Sequence, residues 1–216
     1  MNRLNVISFV LCVGAISAGA QTIISVTGTS AGVDNEEAVG QVSWTQTTAY
    51  TGVTIRATIE SCETSTGSAY LTLNGTALAN QIAVNNSLSV NNADTTVTLF
   101  SGLTLGPGTY FLTISPTTSG DCNELWQNIG GTPAVTTGAG VTAGSSGATG
   151  SGHTVAAYPP ASSFLNSASY LFSVTGTAAA PSPTPTPVPP TAILLGVGLL
   201  FLVWYARRYR QQSNPL

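Results

Sequence analysis

An all-β fold, a single antiparallel β-sandwich, is what this sequence predicts, and three observations point to it. Apolar residues recur with period two: Val53, Ile55, Ala57 and Ile59 alternate with Thr54, Arg56, Thr58 and Glu60, which turns one face of an extended strand to a core and the other to water. Charged residues make up only 6% of the chain, so Ser, Thr, Asn and Gly carry its solubility, a pattern of exported β proteins more than of cytosolic enzymes. The region 21–178, roughly 160 residues, is enough for one domain with a sizeable core and too short for two.

Residues 1–20 read as a signal peptide. Arg3 supplies the basic start, residues 6–16 the apolar stretch, and Ala18-Gly19-Ala20 the small residues accepted at the cleavage site, which leaves Gln21 first. Strands are then expected at 22–26, 39–47, 53–59, 69–73, 96–100, 109–115 and 169–174. Leu103 and Leu105 lead into Gly106-Pro107-Gly108, where proline fixes φ and glycine permits a positive one, so a corner within an antiparallel sheet is expected there. Two connections are long and polar, 76–93 and 138–152. The second is nearly all Gly, Ser, Thr and Ala and reads as a surface loop rather than a packed element. Ser25-Val26-Thr27-Gly28-Thr29 returns as Ser173-Val174-Thr175-Gly176-Thr177, a match too short to establish a repeat.

Residues 179–190 form a Pro/Thr-rich linker, and residues 191–216 a separate tail. No charge interrupts 192–206, so a single transmembrane helix is expected there, although fifteen residues span only about 22 Å against a hydrocarbon core of about 30 Å. Arg207, Arg208 and Arg210 follow it and place the C-terminus in the cytoplasm, while Trp204, Tyr205 and Tyr209 stand where aromatic rings anchor at headgroups. Val188-Pro189-Pro190, the span Ile193-Leu194-Leu195-Gly196-Val197-Gly198-Leu199-Leu200 and the arginines, in that order, resemble the PEP-CTERM sorting signal of Gram-negative bacteria; the family's usual Glu between prolines is absent. The resemblance implies an exosortase-like processing enzyme as partner, an inner-membrane intermediate, and delivery to the cell envelope surface or extracellular matrix. The stretch from Leu103 through Pro107 and Tyr110 to Leu112 also resembles extracellular jelly-roll-like sandwiches, which implies that topology for the ectodomain.

Between leader and tail, Arg56 alone stands against all eight acids. Such a surface repels a phosphate backbone and excludes nucleic acid as a partner. Cys12 leaves with the leader, so Cys62 and Cys122 remain as a pair in a compartment where disulfides persist; the alternatives are two free thiols or, less readily, a metal site.

The case for chemistry is thin. His153, the single histidine, adjoins Ser151 in a glycine-rich stretch, and no Gly-x-Ser-x-Gly elbow accompanies it. Glu60 and Glu63 flank Cys62, and Asp121 and Glu124 flank Cys122, so a disulfide would gather four carboxylates; this is the one arrangement a glycoside hydrolase could use. Asp34, Glu36 and Glu37 offer hard oxygen ligands for Ca²⁺ but lack the spacing of a calcium loop, and no cofactor is implied. Trp126, Trp44 and Tyr158 are the candidates for stacking on sugar rings. The sequence therefore leads to an exported, non-enzymatic surface or matrix protein, with a carbohydrate-binding module within exopolysaccharide as the alternative and a secreted glycoside hydrolase third.

Overall fold

The structure, a computed structural model, describes residues 19–31, 39–59, 64–91, 94–117, 126–149, 168–180 and 190–212. It divides into two compact units, Met1–Ala179 and Ala180–Leu216.

The first unit contains strands β1 (Gln21–Ser30), β2 (Val39–Gln46), β3 (Tyr50–Ile59), β4 (Thr64–Leu73), β5 (Gln81–Asn91), β6 (Thr95–Leu105), β7 (Gly108–Pro116), β8 (Ile129–Thr137), β9 (Val141–Thr149) and β10 (Phe172–Ala178). They form two five-stranded sheets, in the orders β6-β3-β10-β1-β8 and β5-β4-β7-β2-β9. Every pairing is antiparallel. One hydrophobic cluster takes residues from both sheets, so the expected all-β, two-sheet architecture is present.

Period-two patterning decides which face is inside. In β3, Val53, Ile55, Ala57 and Ile59 are buried while Arg56 is exposed and Thr54 and Thr58 lie between. β1 departs from strict alternation because a bulge between Thr22 and Ile24 turns both Ile23 and Ile24 into the core.

Aromatic rings fill the centre of the core. Trp44 of β2 stacks on Tyr110 of β7 at 5.4 Å between centroids and reaches Phe172 of β10, in the opposite sheet, at 6.3 Å. Trp126 stacks on Tyr170 at 4.7 Å and meets Phe172 edge-on at 6.1 Å. Gly40 completes this cluster by being small: a Cβ there would stand 3.0 Å from carbons of both Trp126 and Tyr170.

Three connections differ from expectation. The Gly106-Pro107-Gly108 turn joins β6 to β7, which belong to different sheets, so it carries the chain across the core rather than around a corner of one sheet. Buried Gln46 ties it down: its Nε2 donates to the Gly106 and Leu105 carbonyls at 3.0 and 3.3 Å, while its Oε1 accepts the Trp44 indole N–H at 3.1 Å. The 76–93 connection contains β5, an edge strand whose outward Ile82 and Val84 interrupt the alternation that a half-buried strand would show. The 138–152 stretch contains β9, paired along its length with β2. Composition misleads here, because an edge strand is held by backbone hydrogen bonds on one side and needs little side-chain burial; Gly144 lies so close to Ser43 that a Cβ would clash. Gly140, at φ +71°, makes the turn from β8 into β9.

In the second unit, α1 (Pro190–Gln212) is a single helix of 23 residues. The expected transmembrane helix is corrected to this extent: no helix among the described residues is long and apolar enough to cross a membrane. The physical reason is the early arrival of Arg207 and Arg208, which end the uncharged stretch well short of a bilayer's width.

Tyr110 offers a test of the packing. Its hydroxyl donates to the Gly106 carbonyl at 2.7 Å, and burial pushes the phenol above its ordinary range. A raised folded-state value means that the native chain holds a proton which the unfolded chain releases above about pH 10, so this contribution to stability is present below that pH and lost as pH rises through the folded value. Tyr110→Phe should cost about 0.5–1.5 kcal/mol in urea unfolding at neutral pH. The gap between wild type and variant should shrink above about pH 10.

Candidate functional site

The sequence-derived candidates fall into three groups. Asp34, Glu36, Glu37, Glu60, Cys62, Glu63, Asp121, Cys122, Glu124, Ser151, His153 and Tyr158 lie outside the described residues, as do Ala18 of the cleavage site and Val188 and Pro189 of the sorting motif. Ala20 and Gln21 stand at the start of β1. Pro190 opens α1, Arg207 and Arg208 are exposed on it, the Arg208 guanidinium lies 4.7 Å from the centre of the Trp204 ring, and Arg210 lies in the last turns of the same helix.

The third group is a correction. Trp44 and Trp126 are 0% and 2% exposed, so neither can present a ring face to a sugar. Both indole N–H groups have internal acceptors, Gln46 Oε1 for Trp44 and the Leu171 carbonyl, at 2.9 Å, for Trp126. These tryptophans are core residues, Trp44 on an inward position of β2 and Trp126 at an isolated bridge to Ile59.

What the fold gathers instead is a hydroxyl-rich outer face on the β6-β3-β10-β1-β8 sheet. Register places Thr136, Ser25, Ser173, Arg56 and Thr98 in one row across five strands. Thr22, Thr175 and Thr54 form a second row on three of them. The two matching pentapeptides noticed in the sequence thus supply neighbouring antiparallel strands, with Ser25 opposite Ser173. Thr58 and Thr96 bring their hydroxyls within 3.1 Å of each other.

Within this face lies a shallow depression of about 200 Å³, lined by Ser25, Thr27, Arg56, Thr58, Thr96 and Ser173 among others. Behind it the chain is well secured. Gln127 N–H donates to the Thr58 carbonyl at 3.0 Å, Leu171 N–H to the Gln127 carbonyl at 3.1 Å, and Gln127 Nε2 to Asp94 Oδ2 at 2.8 Å. Asp94 is the one carboxylate side chain among the described residues, and Gln127 occupies it. Arg56 is exposed and, among the described residues, has no carboxylate partner.

The other surfaces are less available. On the outer face of the second sheet, Gln41 and Thr113 are buried and bonded to each other at 2.8 Å. A cleft of about 210 Å³ beside β8 and β9 is rimmed by serines, but Ser43 and Ser145 pair at 3.1 Å and Ser146 donates to the Ala168 carbonyl at 2.7 Å. Among the described residues no group of three His, Cys, Asp or Glu side chains could hold a metal ion. Arg56 is the residue that sequence reasoning used only for its charge; its position as the single cation on an otherwise hydroxyl-bearing strand face was the signal available.

No family model matches the chain, and no curated protein or solved structure matches it significantly.

Trp126→Ala should lower unfolding free energy by about 3–5 kcal/mol, because it empties a stacked core position. A variant as stable as the wild type in chemical denaturation would return Trp126 to the list of surface residues.

Proposed function

We propose that this chain is an exported, non-enzymatic protein of the cell surface or extracellular matrix, sorted through its C-terminal unit. The observation that supports this reading best is the division of the chain into a β-sheet unit and a separate unit whose helix carries exposed Leu194, Leu195, Leu199, Leu200 and Phe201 and ends on arginines. An apolar helix too short for an ordinary span, attached through a Pro/Thr linker and closed by Arg207, Arg208 and Arg210, suits a transient membrane intermediate passed to an exosortase-like enzyme better than a permanent anchor. The ectodomain is then left outside, in a compartment where Cys62 and Cys122 can form a disulfide.

The strand order favours a jelly-roll-like reading of the ectodomain. Without the β8–β9 pair, β6-β3-β10-β1 faces β5-β4-β7-β2, the order two interlocked Greek keys produce. Jelly rolls include lectin domains, which is an analogy of fold alone. The alternative function, a carbohydrate-binding module within exopolysaccharide, draws its support from the hydroxyl-rich face around Arg56.

Cell fractionation followed by mass measurement tests the sorting claim. With Arg207, Arg208 and Arg210 all replaced by Gln, the protein should accumulate unprocessed or in the wrong fraction. A variant with the wild-type distribution and mature mass would contradict the proposal.

A further inference from the structure

We infer that the depression around Arg56 is a binding site for a single acidic sugar residue, a uronate carried on an otherwise neutral glycan. The inference supplies a ligand class for the alternative, carbohydrate-binding reading and does not depend on the sorting tail.

Two features of the site select this chemistry together. A guanidinium presents a planar fork that matches a carboxylate with two parallel hydrogen bonds, and Arg56 is exposed with no carboxylate partner among the described residues. Around it stand Ser25, Thr27 and Ser173, each able to donate and accept, as sugar hydroxyls require, and Thr58 and Thr96, whose hydroxyls are bonded to each other at 3.1 Å and keep one further donor between them. Arg56 supplies the charge and the fork for a carboxylate, and the neighbouring hydroxyls supply the neutral donors and acceptors that the rest of a sugar ring requires.

Size limits the ligand further. About 200 Å³ lies below the roughly 300–1,000 Å³ of pockets that enclose drug-sized molecules, so one ring or its acidic substituent fits, and not an oligosaccharide. The strands that carry the lining residues are rigid, hydrogen-bonded on both sides in β1, β3 and β10, which orders the hydroxyls before the ligand arrives.

Net charge decides between kinds of acidic glycan. Arg56 is the only cation between leader and tail, against eight acids, so a densely charged polymer is repelled over most of the surface. An isolated uronate on a neutral backbone avoids this, because at physiological salt charges separated by more than about 8 Å are largely screened. Binding at one such site is weak, and repeated substituents along the glycan strengthen it by avidity.

The test is calorimetric titration of the purified protein with its tail, in mild detergent. The probes are glucuronoxylan, in which glucuronate is sparse on a neutral xylan, unsubstituted xylan, and polygalacturonate. The wild type should bind glucuronoxylan at least tenfold more tightly than either of the others. Arg56→Gln should abolish that preference, and Arg56→Lys, which keeps the charge and loses the fork, should retain part of it. Equal affinity for xylan and glucuronoxylan, no binding to any probe, or an unchanged preference in Arg56→Gln would each overturn the assignment. Inorganic phosphate, matched to the uronate concentration, should fail to displace the glycan; full displacement would mean that the site reads an oxyanion and not a sugar. Because sorting is read in cells and this binding is read in vitro, either proposal can fail alone.

Discussion

The fold depends on one contact above all, the meeting of Trp44, Tyr110, Trp126 and Tyr170 around Phe172 between the two sheets. The remaining buried positions are mostly Val, Ile, Leu and Ala on strand faces, and their burial requires the sheets to be held face to face at a fixed spacing. The rings set that spacing. Their polar atoms then link the core to the connections: Gln46 joins the Trp44 indole to the turn between β6 and β7, and the Trp126 indole grips the Leu171 carbonyl just before β10. A single cluster thereby fixes both the packing and the path of the chain.

Trp44 and Trp126 are committed to the interior, and on the outer face of the second sheet Gln41 and Thr113 are buried and bonded to each other. Among the described residues, the Ser/Thr surface of the β6-β3-β10-β1-β8 sheet is accessible. The recognition proposed there uses hydroxyls and one guanidinium rather than stacking, which suits a chain with so few charges and so many threonines. The tail is a different device, an apolar helix ended by arginines, and the linker separates its chemistry from that of the sheets.

Much of the fold was legible in the sequence. The alternation in β3 gave its inward and outward faces correctly, and the strands at β2 and β7 were placed within a residue or two, because half-buried strands write their geometry into hydrophobic period. β5, β8 and β9 were not legible. All three are edge strands, stabilised chiefly by backbone pairing, and the Gly/Ser/Thr composition of β9 carries no period to detect. The site was legible only in fragments: Arg56 and the repeated Ser-Val-Thr-Gly-Thr segments were visible, but only antiparallel register puts Ser25, Ser173 and Arg56 in one row. Trp126 misled, because a sequence does not state whether a ring on a connection between strands, followed by Gln127 and Asn128, packs inward.

Fluorescence quenching measures the central claim, that the aromatic residues belong to the core and leave recognition to the hydroxyl face. With Trp204→Phe removing the tail's contribution, Trp44 and Trp126 are the only tryptophans left. Their emission should be blue-shifted and resist acrylamide, with a quenching constant several-fold below that of the denatured protein, and glucuronoxylan should leave it unchanged. Emission at the wavelength of exposed indole, quenched as readily as in the denatured chain or shielded by added glycan, would contradict the account.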